Sequence, residues 1–503
     1  MNFQGAMEIV GADFAHIPLG LATIAALTPP DLEVAIIDEN VEPVLLDERC
    51  DVVAFTGIYC QRDRLFELAR QFRRRGKRIV IGGPIAEDLR RECEAECDVL
   101  FLGEAEYTWP QFCADLVAGT VKKLYHQLEP VDMADSPIPR FELLRAERYS
   151  SGCVQATRGC PYRCEYCDVP RKLGNRPRCK PIERVLEEVR RLHALGFESI
   201  FFVDDMFIGN RRYARDLLRA LAALLPTLPR PIYFYTQLTL NVAKDEELLD
   251  LFADAGFRRF FIGIESSNLA TLRNIDKSQN CELPIDLAIE RIQARNITVW
   301  AGIILGLDDD GPETFDEQLR FIERTAITPT LIGLMQAMPG APLYDRIAAE
   351  QRLVTLDGIV GSGALGTRAA QTLSNVVPRR MSLGDLQRGA ARLMETVFDP
   401  QRFASRLVRA MKKGKRPWPS VWRATSRRSL QVLGRAVQYY LFDAPPELRR
   451  MFLSVIAAQL RSGLAGFEEA AFHLVIYKHL YAFYGQAARD LAEAAARAEA
   501  KAA

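Results

Sequence analysis

The chain has 503 residues, 65 Lys and Arg against 65 Asp and Glu, 49% hydrophobic and 26% charged residues. At roughly 100–200 residues per domain this length implies several domains with packed cores, which excludes a disordered chain. Zero formal net charge excludes a global pull towards nucleic acid or an anionic membrane.

From Pro18 to about Ala118, short β-branched runs alternate with amphipathic stretches. Leu32–Asp38, Asp51–Gly57, Arg78–Gly82 and Asp98–Leu102 are predicted strands, and Arg62–Arg75 and Ile85–Ala95 are predicted helices between them. Strands joined in this way pair in parallel, so residues 1–120 are expected to form a Rossmann-like, doubly wound sheet. Residues 121–150 read as a linker, broken by Ser136-Pro137-Ile138-Pro139.

A second alternation covers residues 151–353. Its predicted strands are Cys153–Thr157, Ser199–Asp205, Ile232–Leu238, Arg259–Glu265, Thr298–Leu307 and Thr330–Met338, with helical spacing between them. Six βα units fall short of a full eight-fold barrel, so a partial (β/α)6 barrel is expected, with its chemistry at the C-terminal strand ends. Residues 354–503 read as a helical domain, in which Ser382 and Asp385 form a capping-box-like start. Within it, Arg402–Arg428 holds ten Lys and Arg beside Trp418 and Trp422, either a solvated helical face or a patch for a phosphate-bearing or other anionic partner.

No run of about 18 uncharged apolar residues is present, and Met1 to Pro18 lacks a basic start with a long apolar run. A cytoplasmic protein is expected, and nothing in the chain supports peripheral membrane contact. Eleven cysteines in such a chain point to metal or redox chemistry rather than to a disulfide framework. Cys160, Cys164 and Cys167 form a C-x3-C-x2-C loop just after the first barrel strand. Thiolates at this spacing can wrap one face of a [4Fe–4S] cube and leave the fourth iron open to a substrate or cofactor. A structural zinc site would need a fourth ligand nearby, for which Cys153 and Cys179 are the nearest spare thiols.

The C-x3-C-x-aromatic-C loop, with Tyr166 as the aromatic, at the mouth of a partial barrel resembles the radical S-adenosylmethionine (SAM) superfamily. The resemblance implies that the open iron is chelated by the amino and carboxylate groups of SAM, that an electron from the cluster cleaves a C–S bond to give a carbon radical, and that flavodoxin or ferredoxin supplies that electron. Further segments match in order. Phe202-Val203-Asp204-Asp205 resembles the turn that binds the SAM amino group. Tyr235-Thr236-Gln237 corresponds to residues meeting the ribose or carboxylate, although relatives often carry Glu where Gln237 stands. Gly263-Ile264-Glu265-Ser266 resembles the G-x-E segment, and Gly302-Ile303-Ile304-Leu305-Gly306 the adenine-contacting strand. Met338-Pro339-Gly340-Ala341-Pro342-Leu343-Tyr344 follows the sixth strand, as in many members. The SAM residues implied are therefore Tyr166, Asp204, Asp205, Thr236, Gln237, Glu265, Ser266, Gly302 and Ile304; an acidic residue at a strand end can equally be a helix cap.

Pro18-Leu19-Gly20-Leu21, Asp38-Glu39-Asn40, Gly82-Gly83-Pro84 and Gly103-Glu104-Ala105-Glu106 resemble the cobalamin-binding domain of B12-dependent members, and Phe398-Asp399-Pro400 the helical domain attached to a subset of them. A corrinoid would then lie near Gly57, Gly82, Gly83, Gly103 and Glu104, outside the C-terminal ends of the first sheet. Two departures stand out. Only Met1–Gly5 precedes the segment matching Ala6–Pro18, so the sheet is expected to lack a first strand, and the Asp-x-His-x-x-Gly signature is absent, leaving His16 alone. The resemblance implies cobalamin-dependent methylation of an unactivated carbon in a small molecule or lipid. Cobalamin-independent chemistry, either 3-amino-3-carboxypropyl transfer or rearrangement of a metabolite, and an RNA-binding or RNA-modifying role for the basic stretch remain open; against RNA, the patch is local. No catalytic residue is singled out.

Overall fold

The structure is a computed structural model in which residues 3–47, 49–354, 373–416, 426–462 and 466–502 are described. Its strands are β1 (Phe14–His16), β2 (Val52–Thr56), β3 (Arg78–Gly82), β4 (Val99–Leu102), β5 (Leu124–His126), β6 (Tyr149–Val154), β7 (Thr157–Arg158), β8 (Arg178–Cys179), β9 (Ser199–Phe202), β10 (Tyr233–Leu238), β11 (Phe257–Glu265), β12 (Thr298–Leu305) and β13 (Thr330–Leu334). They form a parallel four-stranded sheet β2-β3-β4-β5, a parallel seven-stranded sheet β1-β6-β9-β10-β11-β12-β13, and a small antiparallel pair β7-β8.

Alternating apolar residues let the smaller sheet bury both faces. Ile79, Ile81, Leu100 and Leu102 pack on Leu65, Phe66 and Phe72 of helix Arg62–Arg73, while Val80, Val99 and Phe101 pack on Phe112 and Tyr125. Leu32–Asp38 is not a strand, contrary to its pattern. Asp38, at its end, accepts from the Tyr149 hydroxyl at 2.8 Å, which draws the run towards the barrel and leaves β2 as an edge. The strand missing from the sequence reading is instead β5, inside the expected linker, where Tyr125 stacks on Phe101 with ring centroids 5.1 Å apart. The helix expected at Ile85–Ala95 is broken at Leu89 into Pro84–Asp88 and Arg90–Glu96.

The six expected barrel strands all form, although the first, β6, starts earlier than its pattern suggested. A seventh, β1, comes from the N-terminal segment and pairs with β6 through Phe14 and His16. The segment thus extends the barrel rather than the smaller sheet.

The C-terminal helices close the open side of this curled sheet. Helix Phe467–Ala502 sends Glu469 to Arg259 of β11 at 2.8 Å and to Thr298 of β12 at 3.1 Å, and packs against helix Leu383–Val397. Its Tyr484 hydroxyl donates to the Ile332 carbonyl at 3.3 Å and accepts from the Ile332 amide at 2.8 Å, satisfying the free edge of β13. Ser382 and Asp385 form the expected reciprocal cap.

The basic stretch is largely spent on the barrel. Arg406 is buried against Glu323 at 2.8 Å, Arg409 meets the same carboxylate at 3.0 Å, and Arg416 pairs with Asp254 at 2.5 Å. Trp418 and Trp422 lie outside the described residues. Among the described residues no helix is long and apolar enough to cross a membrane.

Removing the Tyr484 hydroxyl strands a buried backbone N–H, a loss of about 1–3 kcal/mol. Tyr484→Phe should lower the urea midpoint accordingly, with an unchanged slope in equilibrium unfolding.

Candidate functional site

The segment from Gln155 to Cys167 crosses the C-terminal end of the barrel, and side chains from distant elements fasten almost every turn of it. Asp204, after β9, is buried and accepts from the amides of Ala156, at 3.4 Å, and Thr157; Asp205 accepts from Gly159 N at 2.9 Å. Gly159 has φ +95°, and a Cβ there would lie 3.0 Å from the Gly174 carbonyl and 3.1 Å from those of Leu173 and Arg176, so only glycine fits. Asn241 donates to the Tyr162 hydroxyl at 2.7 Å, and Arg346 forks onto the Glu165 carboxylate at 2.5 and 2.9 Å.

The three cysteines share this frame. Cys164 is buried, Cys160 and Cys167 half-buried. Burial pushes the Cys160 thiol up to about 11, an effect the neighbouring Cys167 and Cys164 reinforce; burial raises Cys167 too. Among the described residues no trio of His, Cys, Asp or Glu converges closely enough for one metal ion. Cys153 is buried in the barrel, its thiol pushed up to about 12 by burial, and Cys179 accepts from Asn210 Nδ2 at 3.8 Å.

A β-bulge lies where β11 pairs with β12, and Glu265 there takes φ +64°. The bulge breaks the alternation of β11 and aims the carboxylate at Tyr166. Tyr166 donates to Glu265 at 2.8 Å, and the buried Lys277 donates to both, at 2.6 Å each. Burial opposes the Lys277 charge, but Glu265 and the Cys164 and Cys167 sulfurs outweigh it, so its ammonium is held protonated. Lys277, Gln279 and Asn280 were not singled out from the sequence. Gln279 Nε2 donates to Cys164 Sγ at 3.4 Å, and Asn280 donates to the Gly263 carbonyl at 2.8 Å.

The other expected SAM positions divide. Thr236 donates to the Phe202 carbonyl at 3.1 Å, and Ser266 accepts from Asn268 N at 3.1 Å and from Gln318 Nε2 at 3.3 Å, so both are engaged within the protein. Gly302 and Ile304 lie on the same face of β12, and Gln237 is half-buried with no side-chain partner among the described residues. A Cβ on Gly302 would touch the Phe261 ring at 3.5 Å, Gly263 Cα at 3.6 Å and Glu265 Oε2 at 3.9 Å, so the glycine lies close beside the Glu265 carboxylate.

The residues expected to line a corrinoid are bound up with the loop in part. Glu104 receives Arg178 at 2.7 Å, Arg158 of the cysteine loop, and the Val131 amide at 2.9 Å. Gly83 and Gly103 have positive φ, and a Cβ would meet Thr56 Oγ1 at 2.2 Å and the Gln127 carbonyl at 2.3 Å, so turns within the protein account for both. A Cβ on Gly82 would press on Phe101 at 3.1 Å, and one on Gly57 on Gln61 at 3.1 Å. Beyond Gly57, Ile58 is exposed and Tyr59 half-buried. His16 is elsewhere. It lies on β1 with Nε2 at 2.8 Å from the Tyr235 hydroxyl, which donates to Ser151 at 3.0 Å, and burial lowers its pKa to about 4. It is neither a loop residue nor near the ends of the smaller sheet.

Residues 154–322 match the profile of the radical SAM superfamily, and residues 341–493 a domain of unknown function, DUF4070. An uncharacterized methyltransferase of Synechocystis is 33% identical over 416 residues, which make up 82% of this chain and 76% of that protein. The chain belongs to the radical SAM superfamily. The hopanoid C-2 methylase of Rhodopseudomonas palustris is 35% identical over 344 residues, 67% of this chain and 65% of the methylase. Among solved structures, the cobalamin-dependent SAM radical enzyme OxsB, with aqua-cobalamin and SAM bound, aligns over 96% of this chain and 78% of its own with TM-score 0.64 at 15% identity. The radical SAM methyltransferase TsrM of Kitasatospora setae, with tryptophan and a SAM analogue, aligns over 66% and 73% with TM-score 0.57 at 17% identity. At these identities the two structures establish the fold.

Burial raises the Asp204 carboxyl from 3.8 to about 7, the two amides only partly offsetting it. The folded chain therefore binds more protons than the unfolded one in between, and the stability Asp204 contributes is fully present below the lower value and lost as pH rises to the upper. Between pH 4 and 7 the wild type should lose roughly 2–4 kcal/mol relative to Asp204→Asn, read by urea unfolding at each pH.

Proposed function

We propose that Cys160, Cys164 and Cys167 hold a [4Fe–4S] cluster with which the enzyme cleaves SAM, and that it methylates an unactivated carbon of a small-molecule or lipid substrate with the help of cobalamin. One observation carries this reading. A loop with three thiols is locked across the mouth of a parallel barrel, beneath the strand ends of a second sheet. The named activities of the relatives, a methyltransferase and a hopanoid methylase, favour methyl transfer among the reactions open to such a site.

The donor set fits the cluster: three thiols, an amide N–H directed at one sulfur, and a cation close to two. Exposed Ile58 beside half-buried Tyr59 offers an apolar surface that suits a corrinoid face, with Gly57 at the adjoining strand end. When bound, the cluster supplies an electron and an open iron for SAM, and cobalamin a carrier for the methyl group. The chain's own residues do the rest. Glu265, presented by the bulge beside Gly302 at the strand end, is the carboxylate best sited to meet the SAM ammonium or ribose, while Gln237 and Ile304 face the same interior. Asp204 and Asp205 act on SAM through the loop they hold. The half-buried interior faces of β9–β13 present Phe201, Tyr235, Phe261, Trp300, Ile304 and Leu331, which favours a largely apolar substrate and keeps water from a carbon radical.

The open edge of β2 favours a second reading, in which cobalamin is absent and a 3-amino-3-carboxypropyl group is transferred. Nucleoside analysis separates the two. Anaerobically reconstituted protein given reductant, hydroxocobalamin and SAM should release 5′-deoxyadenosine and S-adenosylhomocysteine; 5′-methylthioadenosine in their place establishes the second reading. Replacing Cys160, Cys164 and Cys167 together with Ala should abolish both products and the iron content, and four irons per chain retained by that variant would move the ligands elsewhere.

A further inference from the structure

A short segment that no sequence motif marked grips the cysteine loop at three points. It follows helix Leu269–Asn274 and runs from Ile275 to Asn280. The Ile275 carbonyl accepts from Glu165 N at 3.1 Å, one residue from Cys164. Asp276 then takes φ +55°, a left-handed conformation costly for a non-glycine residue, and the chain reverses. The reversal presents Lys277 and Gln279 to the loop. Asn280 clamps the far end, donating to the Gly263 carbonyl at 2.8 Å and accepting from Leu240 N at 3.1 Å.

Two of these side chains carry more than shape. Gln279 is buried, and its amide donates to the Sγ of Cys164 at 3.4 Å, a polar group spent on a sulfur rather than on a backbone carbonyl. Lys277 is buried, its ammonium 5.4 Å from the centre of the Tyr166 ring and shared between that phenol and Glu265. Glu265 neutralises part of this charge, yet the ammonium still lies within electrostatic reach of the Cys164 and Cys167 sulfurs. A purely structural segment does not need an N–H aimed at a ligand sulfur.

Hydrogen bonds to ligand sulfurs and nearby positive charge both stabilise the reduced, more negative form of an iron–sulfur cluster. We infer that Lys277 and Gln279 are positioning residues that raise the reduction potential of the cluster held by Cys160, Cys164 and Cys167, so that a protein electron donor can load it. The inference rests on the cluster assignment above. It adds the residues that set how readily the cluster accepts its electron.

The test is spectroelectrochemical titration of anaerobically reconstituted full-length protein without SAM. Lys277→Met should make reduction about tenfold less favourable, a midpoint about 59 mV more negative for a one-electron couple. Lys277→Arg keeps the charge and should restore most of the wild-type midpoint. Gln279→Leu leaves the Tyr166, Glu265 and Lys277 contacts in place and should shift the midpoint in the same direction by a smaller amount. If Lys277→Met fails to take up a cluster, Gln279→Leu decides by itself, and an unshifted midpoint in that variant overturns the inference. Unshifted midpoints in both variants with full cluster content overturn it equally. Wild-type protein that takes up no cluster on reconstitution defeats the cluster assignment, and this inference with it.

Discussion

An ammonium, a carboxylate and a phenol meet in a space closed to water where Lys277, Glu265 and Tyr166 converge. Removing a lysine and a glutamate from water costs several kcal/mol each, and their attraction repays this only if the geometry is good and the remaining hydrogen bonds are filled. Each of the three is therefore tolerable only where the other two are. They come from the cysteine loop, the end of β11 and the turn after helix Leu269–Asn274, so the requirement fixes three distant stretches of chain against one another. The bulge in β11 and the left-handed backbone of Glu265 and Asp276 are strains that this convergence maintains.

The same loop is held from the opposite side. Arg158 and Arg178 converge on Glu104 from the smaller sheet, and Lys172 pairs with Asp88 of the helix after β3. Partly buried pairs of this kind are costly to break one partner at a time. The two sheets therefore cannot part at the cysteine loop without exposing or orphaning charge, which favours access by small adjustment of the mouth over opening of a wide hinge.

Periodicity made the barrel legible. Five of its strands lie within a few residues of the apolar runs that predicted them, because a strand buried on both faces leaves an almost continuous β-branched signature. Leu32–Asp38 carries the same signature and forms no strand, since the bond from Tyr149 to Asp38 holds its end at the barrel; that competitor lies 111 residues away, beyond any local pattern. β5 is only three residues long, too short to leave a periodic signature. The cysteines were readable because their spacing is itself the chemistry. Lys277 and Gln279 were not, because they lie in a turn without periodicity and acquire meaning only through a loop more than a hundred residues earlier. Asp204 and Asp205 were readable as important strand-end acids, whereas their bonds to loop amides show that position alone does not assign a ligand.

Helix Phe467–Ala502 and strand β1 close the side of the curled sheet that six strands leave open, through Glu469 on Arg259, Tyr484 on the edge of β13 and Phe14–His16 on the edge of β6. The interior they close is aromatic, and His16, Tyr235 and Ser151 there bond to one another. Burial keeps the His16 imidazole neutral, so the interior gains no cation there at neutral pH. Charge gathers instead at the mouth, around the cysteine loop, where Glu104, Glu165 and Glu265 each face a cation. The division separates two demands. Ionic groups that orient a charged cofactor need dense, fixed counterions, whereas a carbon radical survives best against walls that offer neither water nor an exchangeable proton. Placing the first at strand ends and the second along strand interiors meets both with one sheet, and the covering helix keeps solvent out from the side.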